Sequence, residues 1–510
     1  MTKKDVAKIL KRNADLLEIK DENSFKIRAY LNAARAIESI DNLDKVFTEK
    51  IKGIGKSTLL IIKEIIDTGT SQLLETLQAE IPDGVQELLN LKGLGAKRIK
   101  ILYKELGITS IGELEYACKE NRLLILKGFG KKIQENILKA IKIYRQNLNY
   151  FTILEYEEIL NEIRQQNIFF AVTGAYRRKT EIYSKFEFIT YDENYDKLKE
   201  ICKNYKRKFI IHKSGKDKSQ FIKKLFLTTG SEEFVKNFKV PENPVSEIEI
   251  FRFNNLSYVI PEQREKGIDS EKNYLRYNDI KGIFHVHTTY SDGTMSIEDI
   301  VKYLKNRGYQ YVGISDHSKS AYYANGLNED DIKRQHEEID RLNEKYAPFK
   351  IFKGIESDIL KDGSLDYSDN ILEKFDFVIA SVHSSFNMSK KDMTERIINA
   401  IKNPFTTILG HPTGRLLTVR DGYELDMEKI LEVLAEYKKA VEINCQPFRL
   451  DINWKWSIKA KNLGIKFFIC PDAHNKEDFE YITYGINIAR KAGLRKEMVL
   501  NTFQIPLTHF

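Results

Sequence analysis

The sequence lacks several features that mark whole classes of protein. Its 510 residues include only four cysteines, which are widely separated and form no CxxC pair: Cys118, Cys202, Cys445 and Cys470. Their scarcity excludes a disulfide scaffold and a thiolate zinc site, and it predicts a reducing, cytoplasmic location. No apolar run approaches the roughly 18 residues that a membrane span needs. The charged N-terminal segment has no apolar core, so we expect no secretory signal.

Proline and glycine are also scarce, at 10 and 27 residues, which argues against a disordered or low-complexity chain. Apolar residues make up 42% and charged residues 31% of the sequence. This is an ordinary composition for a soluble protein. At about 150 residues per domain, the length predicts roughly three domains.

Positive charge is concentrated in the first third of the chain. Residues 1–150 carry 27 basic and 20 acidic side chains, 151–280 carry 23 and 21, and 281–510 carry 32 and 33. Most of the net charge of +8 therefore belongs to the first segment. A basic segment joined to near-neutral ones indicates polyanion binding at one end, although a merely solvated basic surface explains the charge equally well.

A short phrase of the type Lys-Gly-apolar-Gly occurs three times within this basic, helical-looking segment, at 51–56, 91–97 and 126–132. Two glycines permit a tight turn and a close approach of backbone to a ligand. The helix that follows directs its unpaired N–H groups at the same place, which suits a phosphate of a nucleic-acid backbone better than three helix C-caps. The predicted DNA-binding residues are Gly53, Gly55, Lys56, Gly93, Gly95, Lys97, Gly128, Gly130 and Lys131.

The pattern changes near residue 150, where short strands are predicted at 168–172, 186–189 and 208–211. Beyond residue 281, apolar strands alternate with amphipathic helices, as a parallel β/α architecture requires. Each strand there leads to a polar residue. The strands and these residues are Gly282–Phe284 with His285 and His287, Tyr311–Ile314 with Asp316 and His317, Ile351–Ile355 with Glu356, Phe377–Ala380 with His383, Thr407–Gly410 with His411, Ala440–Ile443 with Asn444, and Phe467–Cys470 with Asp472 and His474.

Six of the nine histidines of the chain occupy these strand ends, whereas His212, His336 and His509 do not. Carboxyl ends of parallel strands meet at one face of a β/α barrel, where catalytic residues gather. Single histidines often end strands for structural reasons, but six beside carboxylates favour a metal site. Mixed imidazole and carboxylate ligands suit Zn²⁺, Mn²⁺ or Fe²⁺.

Two family resemblances follow from these motifs. The Gly-rich turns, which look like helix-hairpin-helix motifs, followed by Gly174–Lys179 (GAYRRK), resemble a bacterial family X DNA polymerase over most of residues 1–265. The phrases HVHTTYSDG, SDHS, GIESD, VH, GHP and PDAH resemble the PHP (polymerase and histidinol phosphatase) family over 281–510. The PHP resemblance implies a distorted seven-stranded barrel with up to three ions. It implies nine metal ligands: His285, His287, Asp292, His317, Glu356, His383, His411, Asp472 and His474. Asp316 and Arg415 are assigned to catalysis, Arg415 by its resemblance to a basic residue that contacts substrate phosphate.

This chain departs from the polymerase pattern at the residues expected to bind metal and triphosphate. It implies three magnesium-binding aspartates, and these positions fall on Lys185, Glu187 and a residue near His212, while Ala175 replaces a triphosphate-binding serine. Hard Mg²⁺ ions need carboxylates, and a lysine at a metal position repels the ion. The sequence therefore predicts a degenerate palm.

The expected fold is multidomain α and α/β. We predict an 8-kDa-like helical DNA-binding domain at 1–78, a fingers-like helix-hairpin-helix domain at 79–147, a degenerate palm and thumb of small α+β nucleotidyltransferase type at 148–265, and a PHP (β/α)7 barrel at 281–510. The function this implies is metal-dependent hydrolysis at DNA 3′ ends in DNA repair, as a 3′-5′ exonuclease, 3′-phosphatase or abasic-site nuclease. The expected partner is gapped or 3′-ended DNA, with no membrane, and a monomer is expected. The open alternatives are a gap-filling family X polymerase, a histidinol-phosphatase-type enzyme, an inert DNA-end scaffold and an amidohydrolase.

Overall fold

The computed structural model describes residues 1–40, 42–145, 150–265, 274–418 and 422–504, so His509 lies outside the described residues. The chain forms two compact units, Met1–Arg145 and Gln146–Phe510. No helix among the described residues is long and apolar enough to cross a membrane. The predicted division into four domains stays a prediction.

The first unit is helical throughout the part that the structure describes, as the periodicity predicts. Polar caps begin several helices, since the side chains of Thr2, Ser71 and Ser110 each accept a hydrogen bond from a backbone N–H of the first turn. Buried aliphatic side chains form one core for the whole unit. The helices are α1 (Lys3–Lys20), α2 (Ser24–Ser39), α3 (Lys45–Thr48), α4 (Lys56–Thr68), α5 (Gln72–Glu80), α6 (Asp83–Glu87), α7 (Ala96–Leu106), α8 (Ile111–Lys119) and α9 (Lys131–Arg145).

The second unit begins with a small α+β region. Its three-stranded sheet has the order β2-β4-β5, with β2 antiparallel and β5 parallel to β4. Phe186 and Phe188 of β4 pack with Phe151 and Tyr156 in an aromatic core. The elements are β1 (Phe151–Thr152), α10 (Ile153–Arg164), β2 (Ala171–Val172), α11 (Gly174–Arg177), β3 (Ile182–Tyr183), β4 (Phe186–Thr190), α12 (Tyr195–Cys202), β5 (Phe209–Lys213), α13 (Lys218–Thr229), α14 (Glu232–Val235) and α15 (Glu247–Phe253).

Seven parallel strands then form a nearly closed barrel in the order β12-β11-β10-β9-β8-β7-β6. A parallel bridge between Val286 and Ala473 joins the two ends of the sheet. The elements are β6 (Gly282–Val286), α16 (Ile297–Asn306), β7 (Tyr311–Ile314), α17 (Glu329–Tyr346), β8 (Lys350–Asp358), α18 (Asp369–Leu372), β9 (Phe377–Ser381), α19 (Lys390–Lys402), β10 (Ile408–Leu409), α20 (Met427–Glu436), β11 (Ala440–Asn444), α21 (Trp454–Asn462), β12 (Phe467–Cys470) and α22 (Ile482–Lys491).

Aromatic side chains fill the inside of the barrel. The rings of Phe377 and Phe468 each lie 4.8 Å, between centroids, from the ring of Phe284. Glycine is required beside them, because a Cβ on Gly313 or Gly354 would stand 2.4 Å or less from a phenyl carbon. The barrel interior is therefore a packed core and not a pore, and the polar ends of the strands lie above it. Every strand predicted from 281 onward is present, and the overall fold class is as predicted.

Candidate metal centre and nucleic-acid interface

All nine predicted metal ligands converge at the carboxyl ends of the barrel strands. They supply four overlapping groups in which one ligand atom per residue lies within 4.8 Å of the others. The groups are His287, Asp292, His317 and His474; His285, Glu356 and His411; His285, His287 and Asp472; and His317, Glu356 and His383. Every one of these side chains is at most 5% exposed.

Glu356 on β8 lies at the centre of the cluster. Its Oε1 atom is 3.0 Å from His411 Nε2 and 3.2 Å from the Nε2 atoms of His285 and His383. Its Oε2 atom is 3.0 Å from His317 Nδ1 and 3.6 Å from His287 Nε2. One carboxylate therefore contacts histidines from four other strand ends.

Two aspartates complete the cluster on either side of His287. The Oδ1 atom of Asp472 lies 3.3 Å from His285 Nε2 and 3.2 Å from His287 Nε2. Asp292, in the loop before α16, lies 3.5 Å from His474 Nε2 through Oδ1. Its Oδ2 atom lies 3.7 Å from Nε2 of His317. The carboxylates thus alternate with imidazoles across the whole site.

The spacing of these atoms fits shared metal ions. Ligands at about 2.1 Å from a tetrahedral ion stand about 3.4 Å from one another, and the nitrogen–oxygen separations here run from 3.0 to 3.8 Å. Nε2 of His285, both ring nitrogens of His287 and Nε2 of His383 are buried and make no well-formed hydrogen bond among the described residues. Buried polar atoms are normally satisfied, so these nitrogens fit a missing cation.

Three of the nine residues have backbone angles that are unusual for side-chain-bearing residues. The φ angles of His285, His411 and Asp472 are 62°, 22° and 53°. Each such conformation costs of order 1–3 kcal/mol and is found mainly at functional sites. The strand ends are thus bent to direct these side chains into the cluster.

Two further carboxylates orient the histidines from behind. Nδ1 of His285 lies 2.5 Å from Glu442 Oε1 on β11, and Nδ1 of His383 hydrogen-bonds to Asp358 on β8. Glu442 also accepts from the backbone N–H of His411 at 2.6 Å. Such partners fix the ring orientation and leave the other nitrogen free for metal. Sequence reasoning missed Glu442, which lies inside a strand, whereas Asp358 stands two residues after Glu356 in the quoted GIESD phrase.

The pKa shifts divide the histidines of the cluster into two groups. Burial opposes ionisation of Glu356 and Asp472, but the neighbouring histidine charges hold the pKa of both carboxyls well below the ordinary values. Burial lowers the pKa of His287 to about 4, with a contribution from His317, and it lowers the pKa of His474 to about 3. Burial also opposes the charge of His285 and His383, but the surrounding carboxylates raise the pKa of His285 well above its ordinary value and that of His383 to about 10. Because metal binds ionised carboxylates and neutral imidazoles, a bound cation would have to displace the protons of His285 and His383.

Asp316 lies buried behind the cluster. Its Oδ1 atom accepts a hydrogen bond from Thr288 N at 2.7 Å, and Oδ2 accepts from the Thr288 hydroxyl at 2.7 Å and from Gln335 Nε2 at 2.6 Å. Ser291 donates to Oδ1 as well. These bonds fix the loop that joins His287 to Asp292. The contacts of Asp316 are those of a positioning residue.

Arg415, predicted to contact substrate phosphate, is engaged on every side of its guanidinium. Nε donates to Arg449 O at 2.8 Å, Nη1 lies 3.0 Å from Glu181 Oε2, and Nη2 donates to Leu450 O. The side chain is 14% exposed. To bind a phosphate directly, Arg415 would first have to release Glu181.

The three Gly-rich turns of the first unit share one geometry. The first glycine of each, Gly53, Gly93 or Gly128, has a φ angle between 89° and 98°. The next residue but one, Gly55 or Gly95, is the N-cap of α4 or α7. In the last two turns the apolar residue between the glycines is buried, with Leu94 and Phe129 each 4% exposed.

The surroundings of these turns are open. A Cβ on Gly55, Gly93, Gly95, Gly128 or Gly130 would meet no atom within 4 Å. The lysines at the start of the next helix are exposed: Lys56, Lys97 and Lys131. Backbone N–H groups and lysine side chains are thus available together at each turn.

The palm positions carry no set of metal-binding carboxylates. Lys185 Nζ lies 3.0 Å from Glu187 Oε1, and Glu187 also accepts from Ala175 N at 3.3 Å. His212 on β5 pairs in register with Ile189 of β4. The three sites therefore present one lysine, one glutamate and one histidine.

Comparisons with known proteins agree with these features. Family models match the PHP domain at residues 284–446, a helix-hairpin-helix domain at 1–71 and a SAM-like helix-hairpin-helix tandem at 85–142. The DNA polymerase/3′-5′ exonuclease PolX of Bacillus subtilis (strain 168) is 35% identical over 98% of this chain and 97% of its own length. This chain belongs to the PolX family.

Other proteins similar to this PolX family member match less than half of the chain. A probable phosphatase of Thermoanaerobacter sp. (strain X514) is 31% identical over 43% of this chain and 89% of its own length. The crystal structure of histidinol phosphate phosphatase from Lactococcus lactis, complexed with zinc, L-histidinol and phosphate, is 21% identical. It covers 42% of this chain and 94% of its own, with a TM-score of 0.33.

Proposed function

We propose that this PolX family member is a DNA-binding, metal-dependent phosphoesterase that shortens DNA from 3′ ends and has lost polymerase activity. The observation that carries the proposal is the buried cluster around Glu356, in which four histidine-bearing strand ends share one carboxylate. Its relative in Bacillus subtilis is named as both a polymerase and a 3′-5′ exonuclease, and the intact cluster favours the second activity. 3′-Phosphatase and abasic-site cleavage are related activities of the same site.

The nine ligands would hold two or three divalent ions, with Mn²⁺ and Zn²⁺ as the first candidates and Fe²⁺ as another. Such ions supply an activated water at neutral pH and neutralise the charge of a phosphoryl group. The protein residues provide the framework. Glu442 and Asp358 hold His285 and His383 in their tautomers and orientations, and Asp316 holds the loop that carries Asp292.

We propose that the Gly-rich turns hold the DNA. Three turns with the same geometry present backbone N–H groups and lysines to phosphates, without reading bases. Contacts of this kind position a strand and carry no sequence preference. A small-molecule phosphatase would have no use for them.

Loss of nucleotide addition is proposed from the palm. Two-metal phosphoryl transfer needs several carboxylates around two ions, and Glu187 is the one acid at the three expected positions. Its Oε1 atom is already paired with Lys185 at 3.0 Å. The positive lysine would repel a magnesium ion from the position where the ion is needed.

One assay tests these proposals together. DNA labelled at the 5′ end and carrying a gap is incubated with the protein and Mn²⁺, with and without dNTPs. We expect shortening from the 3′ end in both reactions and no extension, and we expect the DNA to keep its length when EDTA is added. Full activity of the His285→Ala/His287→Ala variant would contradict the proposal.

The second candidate function is hydrolysis of a small phosphate ester. The matches to probable phosphatases over the barrel favour it. Histidinol phosphate and 3′-recessed DNA are offered to the same enzyme preparation at matched concentrations. Faster hydrolysis of histidinol phosphate, with the DNA intact, would replace the first proposal with the second.

A further inference from the structure

The three-stranded sheet of the second unit presents a polar patch at positions where the polymerase resemblance implies metal-binding aspartates. Lys185 and Glu187 form an ion pair, so their side chains share one side of β4. Phe186 and Phe188 lie on the opposite side, in the aromatic core. His212 pairs in register with Ile189, two residues beyond Glu187, so its side chain points to the same side as that of Glu187. Helix α13, which carries Lys224, packs against β4.

This patch has more positive than negative charge. Lys185 and Lys224 are both half-buried, and Glu187 is the acid that pairs with Lys185. Within the described residues, Lys224 forms no ion pair. The Nε2 atom of His212 is buried and makes no hydrogen bond in the same part of the chain. Partly desolvated cations without a counter-ion are costly, so the patch is suited to an incoming anion.

The electrostatics of His212 agree with this geometry. Burial lowers the pKa of His212, and the positive charges of Lys224 and Lys185 lower it further. Both lysines therefore act on the imidazole. A neutral imidazole still donates one N–H, which is what a phosphate oxygen requires.

The neighbouring arginines are not part of the patch. Arg177 forms two hydrogen bonds to the carboxylate of Glu247, with Nη1 at 2.8 Å from Oε1. Arg178 pairs with Glu265 at 3.1 Å and donates to Thr229 O at 2.8 Å. Two lysines and one glutamate leave a net charge of +1, which balances one phosphodiester and falls well short of a nucleoside triphosphate.

We propose that Lys185, Lys224 and His212 form a binding site for a single phosphodiester of DNA. The site needs no divalent ion, and two of its residues, Lys185 and His212, lie at or near positions where the polymerase resemblance places metal-binding aspartates. The palm remnant thereby becomes an additional DNA contact, beyond the three Gly-rich turns. The proposal does not depend on the activity assigned to the barrel.

Fluorescence anisotropy with the full chain tests the site. Labelled gapped DNA is titrated in EDTA, so that no hydrolysis occurs, at several salt concentrations. Lys185→Gln/Lys224→Gln is compared with Lys199→Gln/Lys203→Gln, which removes the same charge from α12 and from the residue that follows it. Helix α12 packs on the other side of the sheet. We expect the first pair to weaken binding about 3- to 10-fold and to lower the salt slope by about 0.9, the value for one lost phosphate contact. The control pair should change neither value.

Three further measurements separate the outcomes. Lys185→Arg/Lys224→Arg should keep wild-type affinity, which shows that a loss in the glutamine variant reflects charge and not misfolding. Equal affinity of the glutamine variant and its control would overturn the proposal. Binding of dATP in EDTA that depends on the lysine pair, with DNA affinity unchanged, would also overturn it by assigning the site to nucleotides. In the wild type, DNA should shift the NMR signal of the His212 imidazole, and an unmoved signal would contradict the site.

Discussion

At the scale of single residues, Glu356 lies buried at the centre of the metal-ligand cluster. It is 1% exposed, and its two oxygens face five imidazoles. Its role should therefore be visible both in metal content and in activity.

Replacing Glu356 by glutamine should remove metal and activity together. The amide keeps the shape but loses the charge that holds cations between the imidazoles. We expect activity about 10²- to 10³-fold lower, which corresponds to a loss of about 2.7–4 kcal/mol in transition-state stabilisation. Metal content measured by mass spectrometry should fall below the wild-type value. Glu344→Gln, on the exposed side of α17, is the matched control; a full metal complement in Glu356→Gln would contradict the assigned role.

Glu442 and Asp358 should act through the histidines that they orient. Because Glu442→Gln and Asp358→Asn can leave His285 and His383 in the wrong tautomer, we expect metal affinity 10- to 100-fold lower, about the effect found for such partners. Competition with a chelator measures that affinity directly. Unchanged affinity in both variants would show that these carboxylates serve packing alone.

Asp316 should matter first for stability. Replacing it by alanine leaves the buried donors of Thr288, Ser291 and Gln335 without their acceptor, at about 3 kcal/mol in the free energy of unfolding. Denaturant unfolding measures this loss. Ser291→Ala removes one donor and should cost about 1 kcal/mol. If Asp316→Ala is as stable as the wild type but inactive, the residue acts on the substrate and not on the loop.

The metal ligands could be predicted from the sequence more fully than the residues that orient them. His285, His287 and the other ligands stand at strand ends in short quotable phrases, and the structure brings all nine together. Glu442 lies inside a strand of apolar neighbours, so nothing in its local pattern separates it from a buried structural acid. The partners of Arg415 could not be predicted from the sequence either, because Glu181 lies 234 residues away along the chain.

At the scale of elements, the repeated turns lie in the basic first third of the chain. Each turn has a first glycine with positive φ, and in two of them the second glycine is the N-cap of the next helix. These features are local, which is why the sequence could predict them. The bends at His285, His411 and Asp472 could not be predicted, since positive φ angles are unusual for these residue types and nothing in the local sequence marks them.

Lysines at the turns should contribute to DNA affinity individually. Lys56→Gln, Lys97→Gln and Lys131→Gln should each weaken binding at low salt and reduce the salt slope by about 0.9, whatever the DNA sequence. Lys139→Gln is the control on α9, because Lys139 is exposed but lies two turns beyond Gly130. Anisotropy titrations at several salt concentrations measure both quantities. Equal effects of Lys139→Gln and Lys131→Gln would indicate general electrostatics instead of contacts at the turn.

At the scale of the whole molecule, charge and chemistry occupy different parts of the chain. The basic excess belongs to residues 1–150, and the near-neutral last third holds the carboxylates of the cluster. Those carboxylates repel one another unless cations lie between them. Metal should therefore stabilise the second unit and leave the first unit unaffected.

Metal removal should lower the thermal stability of the barrel. An ion present at about 1,000 times its dissociation constant adds about 4 kcal/mol, which corresponds to about 10 °C in the unfolding midpoint of a domain of this size. Calorimetry with Mn²⁺ and with EDTA should show a change in the unfolding midpoint of the second unit and no change in that of the first unit. If the unfolding midpoint of the barrel is the same with Mn²⁺ and with EDTA, the result would contradict a bound metal cluster.

We assign all of the chemistry to the barrel and none to the palm, and the product lengths from one DNA substrate test this assignment most directly. Degradation can hide extension, so the decisive protein is the His285→Ala/His287→Ala variant, incubated with 5′-labelled gapped DNA, Mn²⁺ and dNTPs. We predict that the wild type shortens the strand and that the variant leaves its length unchanged. Extension of the strand by the variant would contradict the account.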